Sequence, residues 1–567
     1  MENKNKINGG DVLVKCLLEE NVKYLFGIVG GQLLTVFDAV YRWGKEKGIE
    51  TVMFRHEQAA AHAADAWARV TNKPGICLGT VGPGAMHLVP GIGAAWGDNI
   101  PVIAIVPQVR SNIADKFSLQ GGLDQVQLFK PITKYQKSVR KINEIPDAVR
   151  KCFREATGGR PQPVLLEIYE DAFIDQVEES EISILEKYQY RALEKPSISD
   201  KLIKKSLDML MNAKKPLIIS GGGVARAEAW EELQEFAEYL QIPVITTIMG
   251  IGTISNKSSC HLGATAAAAR SAAGKADVIL SLGCKFSFIM NYGEEPTWKD
   301  SQQLIQVDID PTIIGRTKPV SLGIVGDCKS YLSKILKEVK ELEKVESRRW
   351  LERLTRQQKQ LFSFLQGSIK SDSTTITAEL MVKEVLEFID DDTILIVDGG
   401  NITTSAFGQI NLYKERKPLS TLCAIGMGHL GTSVPYGIGA KLAKPDTQVV
   451  TISGDGSFMI NIQDLETASR LGLKNLIYIV ANNGAWGMIK TAQQYAFGQR
   501  YVDVDFPDFN FAKCGESFGC YGEAVTKPNE IKNALERAKN SGKPAVIDVK
   551  MKYEVPLAMR LTQGMDF

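Results

Sequence analysis

Residues 454–484 read GDGSFMINIQDLETASRLGLKNLIYIVANNG, with an acid between two glycines at one end and a paired amide before a glycine at the other. QVVTI, just ahead of Gly454, and LIYIVA, just ahead of Asn482, are apolar runs of strand length, the form taken by parallel strands buried on both faces. The intervening NIQDLETASRLG has helical spacing, and a crossover helix is what joins neighbouring parallel strands. Gly454-Asp455-Gly456 and Asn482-Asn483-Gly484 then emerge side by side at the carboxyl ends of adjacent strands, where open parallel sheets place their ligands.

The residue types suit one chemistry. Glycines let backbone approach a ligand closely, and Asp455 offers a hard oxygen to Mg²⁺ or Ca²⁺. The N-terminus of NIQDLETASRLG would face a diphosphate. Magnesium accepts one or two protein groups plus phosphate oxygens in near-octahedral geometry, so an Asp, an Asn side chain and a backbone carbonyl would complete the set with diphosphate and water. Either signature alone reads equally as a turn or a loop; the pair at the two ends of a strand–helix–strand unit points to a metal–diphosphate site.

The same alternation extends outward in both directions. YLFGIVG, GICLGTVG, PVIAIVPQ and PVLLEIYE, separated by helical stretches such as EQAAAHAADAWARVT, form a first unit over residues 1–188. PLIISGGGVAR, PVITTIMG, ADVILSLG and QLIQVDID form a second over 195–345, followed by the charged stretch KEVKELEKVESRRWLERLTRQQKQ, which reads as a solvated connecting helix. TILIVDGGN, QVVTISGDG, NLIYIVANNG and PAVIDVKM belong to a third over 370–567. The fold class expected is α/β, with three doubly wound parallel sheets.

Composition narrows the partners. The 567 residues exceed what one core usually organises, and 44% hydrophobic with 23% charged residues is ordinary for a globular protein. A formal net charge of +1 gives no electrostatic reason to expect nucleic acid, and no apolar run approaches the length of a membrane span, so a small molecule is the expected partner and the cytoplasm the expected compartment. Nine cysteines stand singly with no CxxC pair, which argues for reduced, buried thiols rather than a zinc or disulfide framework.

GDG followed by NN at this separation resembles the cofactor-binding motif of thiamine diphosphate enzymes, and GDGSFMINIQDLETASRLGL with NNGAWGMI is similar to the acetolactate synthase branch. The resemblance implies thiamine diphosphate and Mg²⁺, the metal held by Asp455, Asn483 and the carbonyl of Ala485. It implies a cofactor-binding set of Gly400, Asn401, Met427, Leu430, Gly456, Ser457, Asn483, Trp486, Gly487 and Met488. Leu430 of AIGMGHLGTSVPYGIGA falls where an apolar residue wedges between the two cofactor rings, though ordinary core would also account for it.

The aminopyrimidine ring acts as an internal base only with a carboxylic acid at its nitrogen. Read alone, Glu57 in FRHEQAAAHAADAWARV is equally a helix-capping acid; the resemblance of RHEQ and TVGPGAMH makes it the activating glutamate. In that superfamily the first unit of one chain faces the third unit of another, which implies a homo-oligomer with active sites at the dimer interface. Gly31, Gln32, Gln120 and Trp486 would line the substrate side, SLQGGLDQV resembling the segment that bears an active-site glutamine.

The substrate is read from departures. GCKFSFIMNYG has Ser287, Phe288 and Ile289 where acetolactate synthases carry an arginine-bearing segment near flavin, and Ala492 stands where they carry a tryptophan favouring 2-oxobutyrate. Both depart from branched-chain biosynthesis and from FAD binding. TAAAARSAAGKADVILSLGCKF is similar to the middle domain of 2-hydroxyacyl-CoA lyases and oxalyl-CoA decarboxylases, making Gly221, Gly222, Gly223, Arg270 and Asp308 candidate contacts for FAD, ADP or CoA, or else a small-residue helix packed on its sheet. The function expected is a thiamine diphosphate-dependent carboligase or lyase acting on a 2-oxo acid. A 2-hydroxyacyl-CoA lyase or oxalyl-CoA decarboxylase acting on an acyl-CoA is the alternative, and a non-catalytic nucleotide-binding homologue the reading from another class.

Overall fold

The computed structural model describes residues 6–116, 118–192, 194–264, 271–369 and 374–561. Three six-stranded sheets, each wholly parallel, follow one another along the chain. The first lies in the order Glu50–Met53, Tyr24–Gly27, Gly75–Leu78, Val102–Gln108, Val164–Tyr169, Tyr135–Val139. The third lies in the order Thr421–Leu422, Ile394–Asp398, Val449–Gly454, Leu476–Asn482, Ala545–Lys550, Tyr521–Val525. Numbered by appearance within its own unit, each is 2-1-3-4-6-5, while the middle sheet runs 3-2-1-4-5-6 from His261–Ala264 to Leu322–Val325.

These orders follow from residue type. The central strands are continuous Val/Ile/Leu runs covered by helices on both faces, so they occupy sheet centres. A strand order that reverses beside the first strand leaves a crevice at the carboxyl ends, and the third sheet's crevice opens between Ile394–Asp398 and Val449–Gly454.

The first and third units share one core across an almost solid helix contact. Helix Glu57–Thr71 is alanine-rich and buried on all sides, packed between helix Pro83–Asp98 and helix Ser433–Ala443. Small residues make this approach feasible: a Cβ at Gly439 would lie 2.2 Å from the Ala63 carbonyl oxygen, and one at Gly91 2.4 Å from the Ala61 Cβ. At the far end of the helix, Arg69 donates to Asp65 (2.8 and 3.1 Å), to Asp98 (2.9 Å) and to the Cys423 carbonyl (3.0 Å), and the Tyr436 hydroxyl donates to Asp65. Asp98 in turn accepts the Gly426 N–H at 2.9 Å, tying this buried cluster to the loop that leads to Leu430.

Two readings of local structure change. The stretch 461–472 is not one helix: helix Asp455–Ile460 ends at Asn461, a short 3₁₀ turn covers Ile462–Asp464, and helix Leu465–Arg470 follows. Asn461 breaks it because its side-chain amide donates to the Gly431 carbonyl at 2.7 Å, holding φ −124° and ψ 29°. The charged connecting stretch is likewise two helices, Cys328–Lys340 and Arg349–Ser368, and the second is not simply solvated, because Trp350, Leu351 and Leu354 are buried on the middle unit's cores. No helix among the described residues is long and apolar enough to cross a membrane. All nine cysteines are free, eight of them buried.

Candidate active site

The carboxyl-end crevice of the third sheet opens into a cavity of about 1410 Å³. Strand pairing Gly454↔Ala481 sets the ends of Val449–Gly454 and Leu476–Asn482 level, which brings Asp455 and Asn483 together. Asp455 Oδ2 accepts the N–H groups of Asn483 (3.1 Å) and Gly484 (2.7 Å), while Asn483 Oδ1 accepts that of Ala485 (3.2 Å). The two adjacent amides part company. Asn482 turns into the sheet and donates to Asp548 (2.9 Å) and the Phe509 carbonyl (3.0 Å), so only Asn483 faces the crevice.

The donor set fits a hard divalent cation and a diphosphate. Asp455, Asn483 and Ala485 all line the cavity and present a carboxylate, an amide oxygen and a backbone carbonyl. Burial pushes the Asp455 carboxyl up to about 6, opposed by backbone N–H groups of Gly456, Gly484, Ala485 and Asn483. Beside it, Asn401 is buried with its side-chain oxygen unpartnered, its amide donating to Thr491 at 3.0 Å. Gly400 admits Met488, since a Cβ there would lie 2.7 Å from the Met488 Cβ. Gly456 admits the Trp486 ring, 2.7 Å from where its Cβ would be, and Trp486 stacks edge-on against Phe506 at 5.2 Å.

Leu430, Gly456, Ser457, Trp486, Gly487 and Met488 line this cavity with Gly400 and Asn401. Ser457 has its hydroxyl committed, donating to Asp398 (2.6 Å) and accepting the Gly431 N–H (2.8 Å), so its side chain holds the loop of Leu430 in place. Met427 lies elsewhere, half-exposed against Gly97 of the first unit. Ala492 sits on the helix Gly487–Ala496 whose Met488, Ile489, Thr491 and Tyr495 line the cavity, but it is not itself part of the lining.

Glu57, Gln32 and Gln120 gather at a different place, the carboxyl edge of the first sheet. Glu57 opens helix Glu57–Thr71 with His56 as its N-cap, and it is buried against the start of helix Pro83–Asp98: a Cβ at Gly84 would stand 3.1 Å from Glu57 Oε1. Gln32 accepts from the Thr80 hydroxyl at 3.1 Å. Gln120 is exposed at φ +64°, its carbonyl 2.5 Å from where a Gly82 Cβ would be; Gly31, also exposed, sits with Gln32. None of these residues lines the cavity that holds Asp455.

Three residues of this edge escaped sequence reasoning. His87 Nδ1 lies 3.0 Å from Glu57 Oε2, and the His87 ring stacks on His56 at 4.4 Å. Gln125 is buried; it accepts the Gly82 N–H at 2.9 Å and donates to the Pro107 carbonyl and to Glu167, both at 2.9 Å, fixing the glycine loop. A signal for His87 existed in TVGPGAMH, but nothing in the spacing says that residue 87 returns to residue 57.

A second cavity of about 320 Å³ lies among the three units. Gly222, Gly223, Asp308, Ser287, Phe288 and Ile289 line it, with Arg160 and Lys285 adding cationic groups. Gly221 is not part of the lining; a Cβ there would lie 2.2 Å from the Gly283 carbonyl oxygen, so its role is close backbone packing. Burial pushes Asp308 up and Lys285 down from their usual values, and Lys285 donates to the Gly97 carbonyl. Arg270 lies outside the described residues. Ile248, Phe288, Ile289 and Ile425 line both cavities, so one apolar wall separates them.

Three family models match the chain in order: the N-terminal TPP binding domain of thiamine pyrophosphate enzymes over residues 7–128, the central domain over 203–335 and the C-terminal TPP binding domain over 398–549. The chain is 35% identical to a probable acetolactate synthase large subunit of Methanocaldococcus jannaschii, covering 96% of this chain and 92% of the relative. It is 33% identical to the acetolactate synthase large subunit of Cyanidium caldarium (95% and 92%) and 32% identical to that of Corynebacterium glutamicum (96% and 86%).

Proposed function

The chain belongs to the thiamine pyrophosphate enzymes and is a thiamine diphosphate-dependent enzyme that forms carbon–carbon bonds, and on that premise we propose an acetolactate synthase-like reaction. A pyruvate-like 2-oxo acid loses CO₂, and the remaining unit is joined to an acceptor. The observation that carries this reading is the convergence of Asp455, Asn483 and the orphaned Asn401 oxygen on one cavity at the third sheet's crevice.

Bound thiamine diphosphate supplies the carbon nucleophile and the electron sink for decarboxylation. The protein's part is to hold and orient. Asp455, Asn483 and the Ala485 carbonyl hold Mg²⁺, and Gly400, Asn401 and Gly456 seat the diphosphate. Leu430, on the loop latched by Ser457, would support the bound cofactor. Glu57, buried in the first unit, would hold a proton at the pyrimidine nitrogen of the bound cofactor. Gln32 and Gln120, at the same edge, orient the substrate.

Glu57 lines neither of the two described cavities, which supports the arrangement the resemblance implies, in which the complete site would take its first-unit edge from a second copy. Complementation tests this together with the roles of both residues. Glu57→Gln and Asp455→Ala proteins should each fail to release CO₂ from pyruvate, and their mixture after subunit exchange should regain about a quarter of wild-type turnover, from mixed dimers with one intact site. An inactive mixture would place both residues in the same site of one chain. Undiminished CO₂ release by either variant alone would remove that residue from the mechanism.

A second reading rests on the shared wall of Ile248, Phe288, Ile289 and Ile425. A CoA thioester with its nucleotide beside Arg160 and Lys285 would pass its acyl arm along that wall, as a 2-hydroxyacyl-CoA lyase or oxalyl-CoA decarboxylase requires. Product identification with pyruvate, 2-hydroxyacyl-CoA and oxalyl-CoA separates the two, and the absorbance of the purified protein shows whether flavin occupies the smaller cavity.

A further inference from the structure

The reading of Glu57 as the activating acid leaves a problem of supply. Its side chain is 9% exposed, yet it must take up and release a proton in every turnover. His56 and His87 are its titratable neighbours, and the more open of the two is His87, whose side chain is 44% exposed in the single chain and whose Nδ1 lies 3.0 Å from Glu57 Oε2. The other carboxyl oxygen, Oε1, is the one set against Gly84 at the start of helix Pro83–Asp98. The carboxyl group therefore has one oxygen committed to the imidazole and one left for the cofactor.

We propose that His87 is the positioning residue and proton relay of Glu57. The inference rests on the role assigned to Glu57 above. In the inward direction Nε2 of a neutral Nδ1–H imidazole takes a proton from hydronium, leaving water and giving the imidazolium, and Nδ1 then passes its proton to the Glu57 carboxylate. The products are the carboxylic acid and an imidazole protonated at Nε2. The outward direction reverses both steps, so one proton is exchanged with solvent and no electrons move.

His56 is placed to support the ring rather than replace it. It stacks on His87 at 4.4 Å with 31° between the planes, and its Nδ1 accepts the Gln58 N–H at 3.2 Å as the helix N-cap. Burial, and then the charge of His87, lower its basicity, with Glu57 opposing. Among the described residues, Glu57 and His56 are the titratable groups set against His87.

The chain has five histidines, so the His87 signal of histidine-labelled apoprotein can be followed by NMR. Glu57→Ala should move the ring ¹⁵N shifts of His87, because it removes the partner of Nδ1; unmoved shifts would overturn the pairing. In holoenzyme loaded with thiamine diphosphate and Mg²⁺, exchange of the thiazolium proton with D₂O should slow about tenfold in His87→Gln and His87→Ala, with cofactor affinity unchanged. The pH dependence of exchange should flatten, and added imidazole should restore part of the rate to His87→Ala. Wild-type exchange at every pH in His87→Gln would overturn the relay, as would a slowed His87→Ala that imidazole does not rescue. Undiminished exchange in Glu57→Gln would instead sink the reading of Glu57.

Discussion

The first and third units carry the same sheet, 2-1-3-4-6-5, and use the same crevice in opposite ways. In the third unit the loops after Ile394–Asp398 and Val449–Gly454 line a cavity. In the first, the equivalent loops after Tyr24–Gly27 and Gly75–Leu78 meet where a Cβ at Gly30 would lie 2.4 Å from the Thr80 hydroxyl. In the first unit the candidate residues lie at the neighbouring edge, where Glu57 and His87 meet. Strand order decides where a ligand can enter a sheet; loop residues decide whether it does.

That contrast can be broken most sharply at Asp455. Asp455→Ala should weaken thiamine diphosphate binding by more than about 100-fold at saturating Mg²⁺, measured by titration calorimetry, since metal ligands outweigh the residues that merely support them. Tight binding by this variant would close the open crevice as a cofactor site. Glu57→Gln should do the converse, lowering kcat by about 10²–10⁴ while cofactor affinity moves less than tenfold. A large loss of affinity there would erase the difference between an anchoring unit and an activating one.

The contact between the units supplies the next test. Arg69→Ala leaves Asp65 and Asp98 buried beside each other, so thermal or denaturant unfolding should show a loss of about 3–5 kcal/mol. Stability within about 1 kcal/mol of wild type would mean that the first and third units do not depend on this cluster.

The smallest effect concerns His62, fully buried in the same helix with both ring nitrogens unpartnered and 5.7 Å from the His429 ring. Burial, then the charges of His429 and Arg69, pull its pKa down to about 3 from an ordinary 6.5. The unfolded chain therefore binds the proton first, and stability is lost as pH falls from 6.5 towards 3, by about 2 kcal/mol at pH 5. His62→Met should flatten that acid limb in urea melts run from pH 7 to 5. An unchanged limb would assign the acid sensitivity to other groups.

Legibility in the sequence followed burial. Central strand stretches such as LIYIVA (476–481) and VIAIV (102–106) are uninterrupted apolar runs because both faces are covered, and such runs can be read directly. Edge strands such as Tyr135–Val139 (YQKSV), Tyr521–Val525 (YGEAV) and the two-residue Thr421–Leu422 were not legible, since an exposed edge tolerates polar residues and brevity. The antiparallel pair Lys6–Asn8 with Gln176–Glu178 joins segments far apart in the chain and has no local signature. At the site, Asp455 and Asn483 could be paired in advance because one crossover fixes their separation. The divergence of Asn482, the break at Asn461 and the return of His87 to Glu57 each depend on a partner from another loop.

The alanine helix Glu57–Thr71 has a consequence for how this sequence can drift. Beyond Ala63 and Ala61, a third neighbour leaves no space: a Cβ at Gly75 would lie 2.1 Å from the Ala64 carbonyl oxygen. Enlarging a residue on either side forces backbone apart rather than a side chain aside. Mutational scanning should therefore find at Ala61, Ala63 and Ala64 positions that accept almost no change, a constraint imposed by volume rather than by any chemistry of their own.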